Sequence, residues 1–536
     1  MAATPSATVL QVGTAQQLVA VENHSNGSQS DVTYAASWAT SNTSIAAVTA
    51  TGSLSGLAPG ISTITASVGT TNATVVVTVQ ATRTLASVNV IPAATLGVGA
   101  TRQLMVIGTY SDQTEADVTN AAQWAISNPA VTTITANGLL TGLIPGSATA
   151  TASVGAVNAG VPVTVAAVKV VVVNSPAASV QAAVTAACDG TALGMVMLPT
   201  GTINSDSVTL PANCILQGQG PANTVLQASG MQPQILYVNG SYVTIRGLKL
   251  DGKGTTQNVL LWHSGDYGLV DNVEITGTYS DGAPGFNYGD GITVADFASG
   301  AGTNQTTFHN LNIHDVGRNC IFIGEGDHNT ILNLTCTNYG LIGVDVEPDG
   351  VWSAAYGTVL NSTFTGMAGA GPAVYVTAGA ATTFYTRGWQ VTGNTVTGAG
   401  DCVPNTACAA GTVGAITIAA DLPVMANNVV TGSHGNGYAI SGGNARVTGN
   451  VAENNGQGGL QNRGFAVNNS DGIYTLNSCL DTQANPTQGF CFGENSSVDD
   501  NNQYLNNAAT HGVGPADDYF LGPHDQWSNS GTPLTP

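Results

Sequence analysis

The segment Asn310-Leu311-Asn312-Ile313 is followed a short distance later by Asn333-Leu334-Thr335-Cys336, and an asparagine before a short alternating segment recurs through the C-terminal part of the chain. The asparagines that begin these segments are Asn272, Asn310, Asn333, Asn361, Asn394, Asn428 and Asn450. Their successive spacings are 38, 23, 28, 33, 34 and 22 residues. A core repeat of about 22 residues with insertions produces this series and indicates a solenoid.

Asparagine suits such a repeat for two physical reasons. It tolerates the left-handed backbone conformation of a tight turn better than most residues. Stacked copies can also hydrogen-bond from coil to coil, which satisfies amides inside the turn. Each coil is therefore predicted to add strands to parallel sheets whose inner face is buried.

A second ladder appears when the strands between the asparagine segments are aligned. Its strands are Gly291–Ala295, Cys320–Gly324, Gly343–Glu347, Ala373–Thr377 and Ala415–Ala419. The Val and Ile positions share one parity and are predicted to enter the core, because alternate residues of a strand face opposite sides. The outward columns then read Thr293, Phe322, Asp345, Tyr375, Thr417 and Ala295, Gly324, Glu347, Thr377, Ala419.

These features resemble the right-handed parallel β-helix of the pectate-lyase-like superfamily, from about Val168 to Asn507. Ala177–Ala187 looks like the short helix that caps the first coil in that superfamily. Gly343–Pro348 resembles its Gly-x-Asp-x-Glu-Pro stretch, which an arginine in the preceding coil, as at Arg318, often accompanies. The resemblance implies the fold and an active face. It names no reaction, because this fold hosts lyases, hydrolases, epimerases, esterases and adhesins.

The first 166 residues contain a tandem repeat with a constant offset of 86, which pairs Trp38 with Trp124. Both copies share Val-Gly…Gln-Leu, Trp-x-x-Ser-Asn and Gly-Leu-x-Pro-Gly, and each ends in Thr- and Val-rich strands. The pattern resembles the group 2 bacterial immunoglobulin-like domain, which implies a spacer or adhesive module. The chain is thus predicted to be all-β, with Ig-like sandwiches at 1–81 and 82–166 and a parallel β-helix at 167–536.

Composition narrows the function. Only 8% of the 536 residues are charged and the formal net charge is −21. Nucleic-acid binding is excluded because phosphates need clustered cations, and polyanionic substrates are disfavoured. No apolar run approaches the roughly 18 residues of a membrane-spanning helix, so membrane insertion is not expected.

The cysteines favour an oxidising compartment. All eight lie beyond residue 187 and fall into sequence-local couples. We expect disulfides Cys188–Cys214, Cys402–Cys408 and Cys479–Cys491, whereas Cys320–Cys336 stays open because the two residues lie on different strands. A secreted or cell-surface protein is expected, although the first residues lack the features of a signal peptide.

Asp345 and Glu347 are the candidate catalytic pair. At about 3.3 Å rise per residue their stems lie roughly 6.6 Å apart on one outward face, near the lower end of the roughly 6.5–9.5 Å separation in inverting glycosidases. Arg318 could reach Asp345 from the preceding coil and hold one carboxylate ionised, and Asp290 lies two coils before Asp345. A surface acid pair with turn-capping aspartates is the structural alternative, and it is the stronger interpretation for Asp290.

Aromatic and polar residues near this face are candidate substrate ligands. Tyr375, Phe322 and Trp352 could stack on sugar rings, and His314 and Asp349 lie in adjoining turns. For His314 an ordinary turn role is the competing interpretation.

Three functions remain open on sequence grounds. The first is a secreted enzyme that cleaves glycosidic bonds of a neutral or weakly charged polysaccharide, by inverting hydrolysis. The second is a polysaccharide lyase or epimerase on the same face, with Arg318 or Tyr375 assisting proton abstraction. The third is a non-catalytic adhesin or fibre. No metal motif occurs and no cofactor is required, although calcium held by backbone oxygens and turn aspartates is compatible with the sequence. The sequence does not define an oligomeric state.

Overall fold

The structure of the protein is a computed structural model of the 536-residue chain. It describes residues 2–4, 7–24, 29–80, 84–91, 94–111, 115–175, 179–190, 192–279, 289–295, 304–348, 354–366, 371–377, 386–399, 414–433, 435–455, 463–468, 472–475, 477–481, 490–494, 503–505, 508–511, 519–520 and 526–528.

The first Ig-like domain is built from short sheets, antiparallel except for the parallel pair Ala7–Gln11 and Thr71–Gln80, around a core that includes Leu18, Leu54 and Val77. Trp38 packs against this core, and its indole N–H donates to the carbonyl of Thr33 at 2.9 Å. The strands, in sheet order, are Ala7–Gln11, Thr71–Gln80, Gly60–Val68, Ser37–Thr40; Ala2–Thr4, Val19–Asn23, Gln29–Asp31; and Ala15–Gln17, Ser53–Gly56, Ala46–Val48.

The second Ig-like domain repeats this arrangement, as the offset of 86 predicts. Trp124 takes the place of Trp38 against a core that includes Leu104 and Val163. The strands, in sheet order, are Ala94–Gly97, Val157–Ala166, Gly146–Val154, Gln123–Ile126; Leu85–Ile91, Met105–Tyr110, Glu115–Asp117; and Thr101–Gln103, Leu139–Gly142, Thr132–Ile134, with a 3-10 turn at Thr119–Ala121.

The remaining strands pair in parallel and stack on three faces of a β-helix. The first face comprises Val168–Val172, Leu193–Met197, Cys214–Gln217, Thr330–Leu332, Thr358–Leu360, Gln390–Thr392, Val424–Ala426, Arg446–Thr448, Ile473–Thr475, Gln503–Leu505 and Gln526–Ser528. The second comprises Gly201–Ser205, Thr224–Ala228, Thr335–Tyr339, Thr363–Thr365, Thr395–Thr397, Val429–Thr431, Val451–Glu453, Ser478–Asp481 and Ala508–His511. The third comprises Val208–Pro211, Gln232–Asn239, Ile292–Val294, Ile321–Ile323, Val344–Val346, Val374–Val376, Gly414–Ala419, Asn436–Ser441, Arg463–Asn468, Phe490–Glu494 and Tyr519–Phe520.

Three longer strands bend around the corners and link the faces. Thr244–Ser264 contributes to all three faces, and Leu269–Thr278 and Thr307–Val316 to the first and second. The sole α-helix of the described residues, Val180–Ala187, packs on the first strands, and the Ser179 side chain caps its N-terminus. This is the capping helix that the sequence predicts at Ala177–Ala187.

The asparagine repeat contains two kinds of position, one residue apart. Asn272, Asn310, Asn333 and Asn361 have positive φ angles of 49–55° and form the left-handed turn. Asn394, Asn428 and Asn450 follow the turn residues Gly393, Asn427 and Gly449 and point inward, fully buried. Their amides form a coil-to-coil ladder that continues to Asn477. Both expected roles of asparagine therefore occur, but at different positions.

Two disulfides hold the early coils. Cys188 is bonded to Cys214 as predicted, and Cys320 is bonded to Cys336 with their Cα atoms 6.2 Å apart, which resolves the pairing left open by the sequence. Cys479 is also disulfide-bonded. The predicted Cys402–Cys408 pair and the side chain of Cys491 lie outside the described residues.

Candidate active site

The third face carries the predicted outward column in the predicted register. Thr293 pairs with Phe322, Phe322 with Asp345, Asp345 with Tyr375, and Tyr375 with Thr417. The flanking Val and Ile residues belong to the central core, whereas these five do not. Parity therefore predicted the direction of each side chain correctly.

Exposure differs from the prediction. Asp345 was expected to face solvent, but only 1% of it is exposed, and Phe322 is 8% exposed. Glu347, one position beyond the end of strand Val344–Val346, is exposed, and its peptide N–H donates to the carbonyl of Ile323 at 3.1 Å. The two carboxylates of the predicted pair thus share a strand end but occupy opposite environments.

Arg318 joins the two buried acids. Its Nη1 lies 3.6 Å from Oδ2 of Asp290, and its Nη2 lies 3.8 Å from Oδ2 of Asp345. Its guanidinium carbon lies 5.1 Å from the centre of the Phe322 ring. The Phe322 ring therefore packs against the guanidinium of Arg318. Its stacking on a sugar ring stays a prediction.

Asp290 is fully buried and belongs to a polar ladder in the turn before the third face. Its Oδ1 accepts the peptide N–H of Asn319 at 3.2 Å, and its Oδ2 accepts the hydroxyl of Thr293 at 3.0 Å. The peptide N–H of Asp290 in turn donates to Oδ1 of Asn258 at 3.2 Å. Asp290 therefore caps the turn, which agrees with the structural interpretation, and it also pairs with Arg318.

Asn319 contacts both acids and was missed by the sequence analysis. Its side-chain amide donates to Oδ2 of Asp345 at 3.1 Å, while its Oδ1 accepts the peptide N–H of Ile342 at 3.1 Å. A positional signal exists, because Asn258, Asp290 and Asn319 each lie two residues before the aligned positions Leu260, Ile292 and Ile321.

Burial and neighbouring charge separate the acids electrostatically. Burial, reinforced by the negative charges of Glu347 and Asp290, raises the pKa of Asp345 to about 8, against the opposing effects of Arg318 and the Asn319 hydrogen bond. Burial raises the pKa of Asp290 only to about 6, because Arg318 and its hydrogen bonds favour the ionised form. The pKa of Asp345 is thus raised further than that of Asp290, which favours a protonated Asp345 beside an Asp290 that pairs with Arg318, a division of charge that the sequence did not predict.

The other candidate substrate ligands are not all close to the cluster of Arg318 and the buried acids. Tyr375 is half-buried, and burial together with the charges of Glu347 and Asp345 raises the pKa of its phenol. His314 lies on the second face instead, where it contacts Asp315 at 2.7 Å and Glu274 at 3.3 Å. Trp352 and Asp349 lie outside the described residues.

One oxygen atom of the site, Oδ1 of Asp345, is in an unusual chemical environment. Oδ1 of Asp345 is buried and has no hydrogen-bond partner within the described ranges, although a protonated carboxyl carries a donor that normally finds an acceptor. Within the described part of the chain, no group of three or more His, Cys, Asp or Glu side chains could hold a metal ion, and no helix could cross a membrane. The arrangement is suited to donating a proton from Asp345 beside the exposed carboxylate of Glu347.

Comparison with known proteins agrees with this architecture. Residues 1–79 and 85–165 match the bacterial Ig-like domain (group 2), and residues 297–514 match the right handed beta helix region. Ice-binding protein 1 of Shewanella frigidimarina (strain NCIMB 400) is 35% identical over 161 residues, which are 29% of this chain and 18% of that protein. The chain thus spans less than a fifth of the length of that relative.

Two solved structures are similar to this chain at low sequence identity. The A-module of mannuronan C-5 epimerase AlgE6 from Azotobacter vinelandii has a TM-score of 0.50 at 14% identity, covering 68% of this chain and 97% of the module. The catalytic unit of the GH87 α-1,3-glucanase from Streptomyces thermodiastaticus strain HF3-3 has a TM-score of 0.43 at 13% identity, covering 72% of this chain and 75% of that unit. The chain is a protein with two bacterial Ig-like domains of group 2 followed by a right-handed parallel β-helix.

Proposed function

We propose that this protein is an extracellular carbohydrate-active enzyme that hydrolyses glycosidic bonds of a neutral or weakly charged polysaccharide with inversion. One observation carries the proposal: the end of strand Val344–Val346 holds a buried Asp345, whose pKa is raised by burial, and an exposed Glu347. Two carboxyl groups with opposed environments supply the acid and the base that this reaction needs. Disulfides such as Cys188–Cys214 support an oxidising compartment.

The proposed reaction assigns one proton transfer to each carboxyl group. Asp345 donates its proton to the glycosidic oxygen as the bond to the leaving sugar breaks. Glu347 takes a proton from the water whose oxygen forms the new bond to the anomeric carbon. The stems of the two side chains lie roughly 6.6 Å apart along the strand. This spacing is compatible with a water between the two carboxyl groups.

Substrate must reach Asp345 by displacing its covering side chains. Phe322 and Tyr375 occupy the register positions on either side of Asp345. Phe322 is held against Arg318, whereas Tyr375 is half-buried, so Tyr375 is the side chain that we expect to move. The glycosidic oxygen would then accept a hydrogen bond from Oδ1 of Asp345, which bonds to none of the described residues.

Charge and pKa favour hydrolysis over elimination or epimerisation. A polyuronate would meet a protein of net charge −21. Arg318 is committed to two acids, and the raised pKa of Tyr375 makes its phenol a weak candidate for a base at neutral pH. Lys169 and Lys249 pair with acids away from the third face. The similarity to a mannuronan epimerase supports the fold rather than the reaction.

A non-catalytic scaffold is the second candidate, and burial is the observation that favours it. Asp290 completes a turn ladder with Asn258 and Asn319, and Asp345 is closed off from solvent. In a scaffold the cluster would serve only to join neighbouring coils.

A glycan panel separates these functions. Release of reducing ends, absorbance of unsaturated products and NMR of the anomeric configuration are measured for wild type, Glu347→Gln and Asp345→Asn. We expect both variants to lose at least about 100-fold in turnover, the lower part of the range for general acid–base catalysis, with the first product formed with inverted configuration. Glu453→Gln, a half-buried glutamate on the second face, is the matched control and should keep wild-type turnover.

The other outcomes each contradict the proposal. An ultraviolet-absorbing product identifies a lyase, and altered stereochemistry at unchanged chain length identifies an epimerase. No turnover of any glycan by a folded wild-type protein favours the scaffold.

A further inference from the structure

The second Ig-like domain lies against the outward side of the first face of the β-helix. At one end of this seam, Met105 and Ile107 of the Ig-like domain pack with Leu332 and Leu360 of the β-helix. All four are at most 7% exposed. This contact holds the preceding strand of the Ig-like domain, Thr101–Gln103, over the earlier coils of the first face of the β-helix.

The other end of the seam is polar. Gln217, Arg246, Asp271 and His309 are stacked in register on consecutive coils. Arg246 donates from Nε to Oε1 of Gln217 and from Nη1 to the carbonyl of Thr101, the latter at 3.2 Å. Nδ1 of His309 lies 2.9 Å from Oδ1 of Asp271. The β-helix thus presents a cation and an acid to the Ig-like domain.

Arg102 enters this polar end from the Ig-like domain. It is only 7% exposed, and its Nε and Nη2 atoms are buried with no hydrogen-bond partner among the residues that the structure describes. Burial and the nearby charge of Arg246 lower the pKa of Arg102 to about 10, and Asp271 opposes this only in part. A buried charge is ordinarily paired and hydrogen-bonded, so Nε and Nη2 of this guanidinium lack the acceptors that a buried arginine usually has in the described part of the chain.

A cavity lies beside the two arginines. Its volume is about 160 Å³, and its lining includes Arg102, Arg246, Asp271, His309, Gln103 and Thr307. A cavity of roughly 150 Å³ holds a ligand of the size of benzene, so this one admits a carboxylate and the adjoining part of a sugar ring rather than a whole sugar. Two guanidinium groups and one carboxylate leave one positive charge when His309 is neutral.

We propose that this seam cavity binds the carboxylate of a uronic acid, with Arg102 and Arg246 as the charged ligands and the polar lining contacting the sugar hydroxyls. Arginine pairs with carboxylates through two parallel hydrogen bonds, which would satisfy Nε and Nη2 of Arg102 together. One monovalent carboxylate balances the residual charge, whereas a phosphate dianion would leave an excess of negative charge beside Asp271. The site is independent of the acids on the third face.

Calorimetric titration of the full chain in a carboxylate-free buffer tests the proposal. The probes are glucuronate, neutral glucose, acetate and an oligosaccharide that ends in glucuronate. We expect saturable binding of glucuronate, none of glucose, and at least tenfold weaker binding in both Arg102→Met and Arg246→Gln. Arg446→Gln, a change further along the first face, should bind like wild type. Comparable affinity for the oligosaccharide identifies a chain end as the ligand, and loss of binding identifies the free acid.

Thermal melting of Arg102→Met and one further variant, Asp271→Asn, separate ligand binding from a structural role. Because Nε and Nη2 of Arg102 have no hydrogen-bond partner among the described residues, Arg102→Met should melt at the same temperature as wild type or higher without ligand, and glucuronate should raise the melting temperature of wild type alone. Asp271→Asn removes a competing negative charge and should tighten binding. The proposal is overturned if folded wild type binds neither glucuronate nor the oligosaccharide, or if Arg246→Gln and Arg102→Met bind as wild type does. A fall in melting temperature of Arg102→Met without ligand would instead identify Arg102 as a structural residue.

Discussion

The environment of Asp345 favours the protonated form of its carboxyl group, whereas an ordinary aspartate is ionised at neutral pH. Its pKa of about 8 lies well above the ordinary value of 3.8, because burial and the charges of Glu347 and Asp290 outweigh the effect of Arg318. Between about pH 4 and pH 8 the folded protein retains a proton that the unfolded chain has released. This group therefore lowers the free energy of unfolding progressively as pH rises through that window.

Asp345→Asn should remove this pH-dependent loss. The free energy of unfolding of the variant relative to wild type should increase from pH 4 to pH 8, by on the order of 1 kcal/mol per pH unit, and stay constant above pH 8. Urea unfolding at several pH values measures it. Asp421→Asn, which changes an exposed carboxylate, is the control and should show no comparable trend. A difference that stays flat between pH 4 and pH 8 would show that Asp345 is ionised in the folded protein.

For individual residues, the sequence predicted which side of the sheet a side chain faces but not whether that side chain is buried. Strand parity identified Asp345 and Glu347 as outward, and alignment of coils brought Arg318 to Asp345. The burial of Asp345 could not be predicted, because parity reports which side of a sheet a residue faces and not what covers that side. The burial of Arg102, with two nitrogens that bond to no described residue, was missed for the same reason, since nothing in its own domain marks it.

The turn between the first and second faces is the element that the asparagine repeat builds. In the later coils, Asn428 accepts hydrogen bonds from the backbone and side chain of Asn394 and donates to Val391 and Asn450, all within 2.7–3.0 Å. The earlier coils place Val273, Leu311 and Leu334 at the equivalent inward position. Later coils therefore replace apolar packing at this corner with a hydrogen-bonded ladder.

Asn428→Ala should be strongly destabilising. It deletes four hydrogen bonds and leaves buried groups of both neighbouring coils unsatisfied, at about 1–3 kcal/mol for each unsatisfied group. We expect a loss of at least about 3 kcal/mol in the free energy of unfolding, measured by chemical denaturation. Asn312→Ala, at an exposed outward position, should change it by less than about 0.5 kcal/mol. Similar losses in both variants would show that the ladder adds no stability of its own.

The solenoid was predictable from the sequence. The one-residue difference between the two kinds of asparagine position in its repeat was not. Asparagine is suited both to the left-handed turn and to the inward ladder, so Asn361 and Asn394 look alike in the sequence. The structure separates them by one residue, because Gly393 takes the left-handed position and frees Asn394 to point inward. A repeat defined by one residue type cannot distinguish two roles that the same side chain fills.

At the scale of the whole molecule, the seam decides how the Ig-like domains are attached. The tandem repeat and the solenoid were each recognisable from internal periodicity, but their contact involves residues that no periodicity links. Met105 and Ile107 are ordinary strand residues, and Leu332 and Leu360 occupy an outward column that would otherwise face solvent. Burial of these four side chains accounts for apolar residues on the outside of a β-helix.

Leu360→Asp should detach the second Ig-like domain from the β-helix. The change puts a carboxylate into a contact in which all four apolar side chains are at most 7% exposed, and a buried charge without a partner costs several kcal/mol. We expect a larger radius of gyration in small-angle scattering and faster proteolysis between the domains, with the unfolding of the β-helix little changed. Ala426→Asp, two coils further along the same outward column, should leave both unchanged. If the radius of gyration of Leu360→Asp equals that of wild type, the polar end of the seam holds the domains together without the apolar contact.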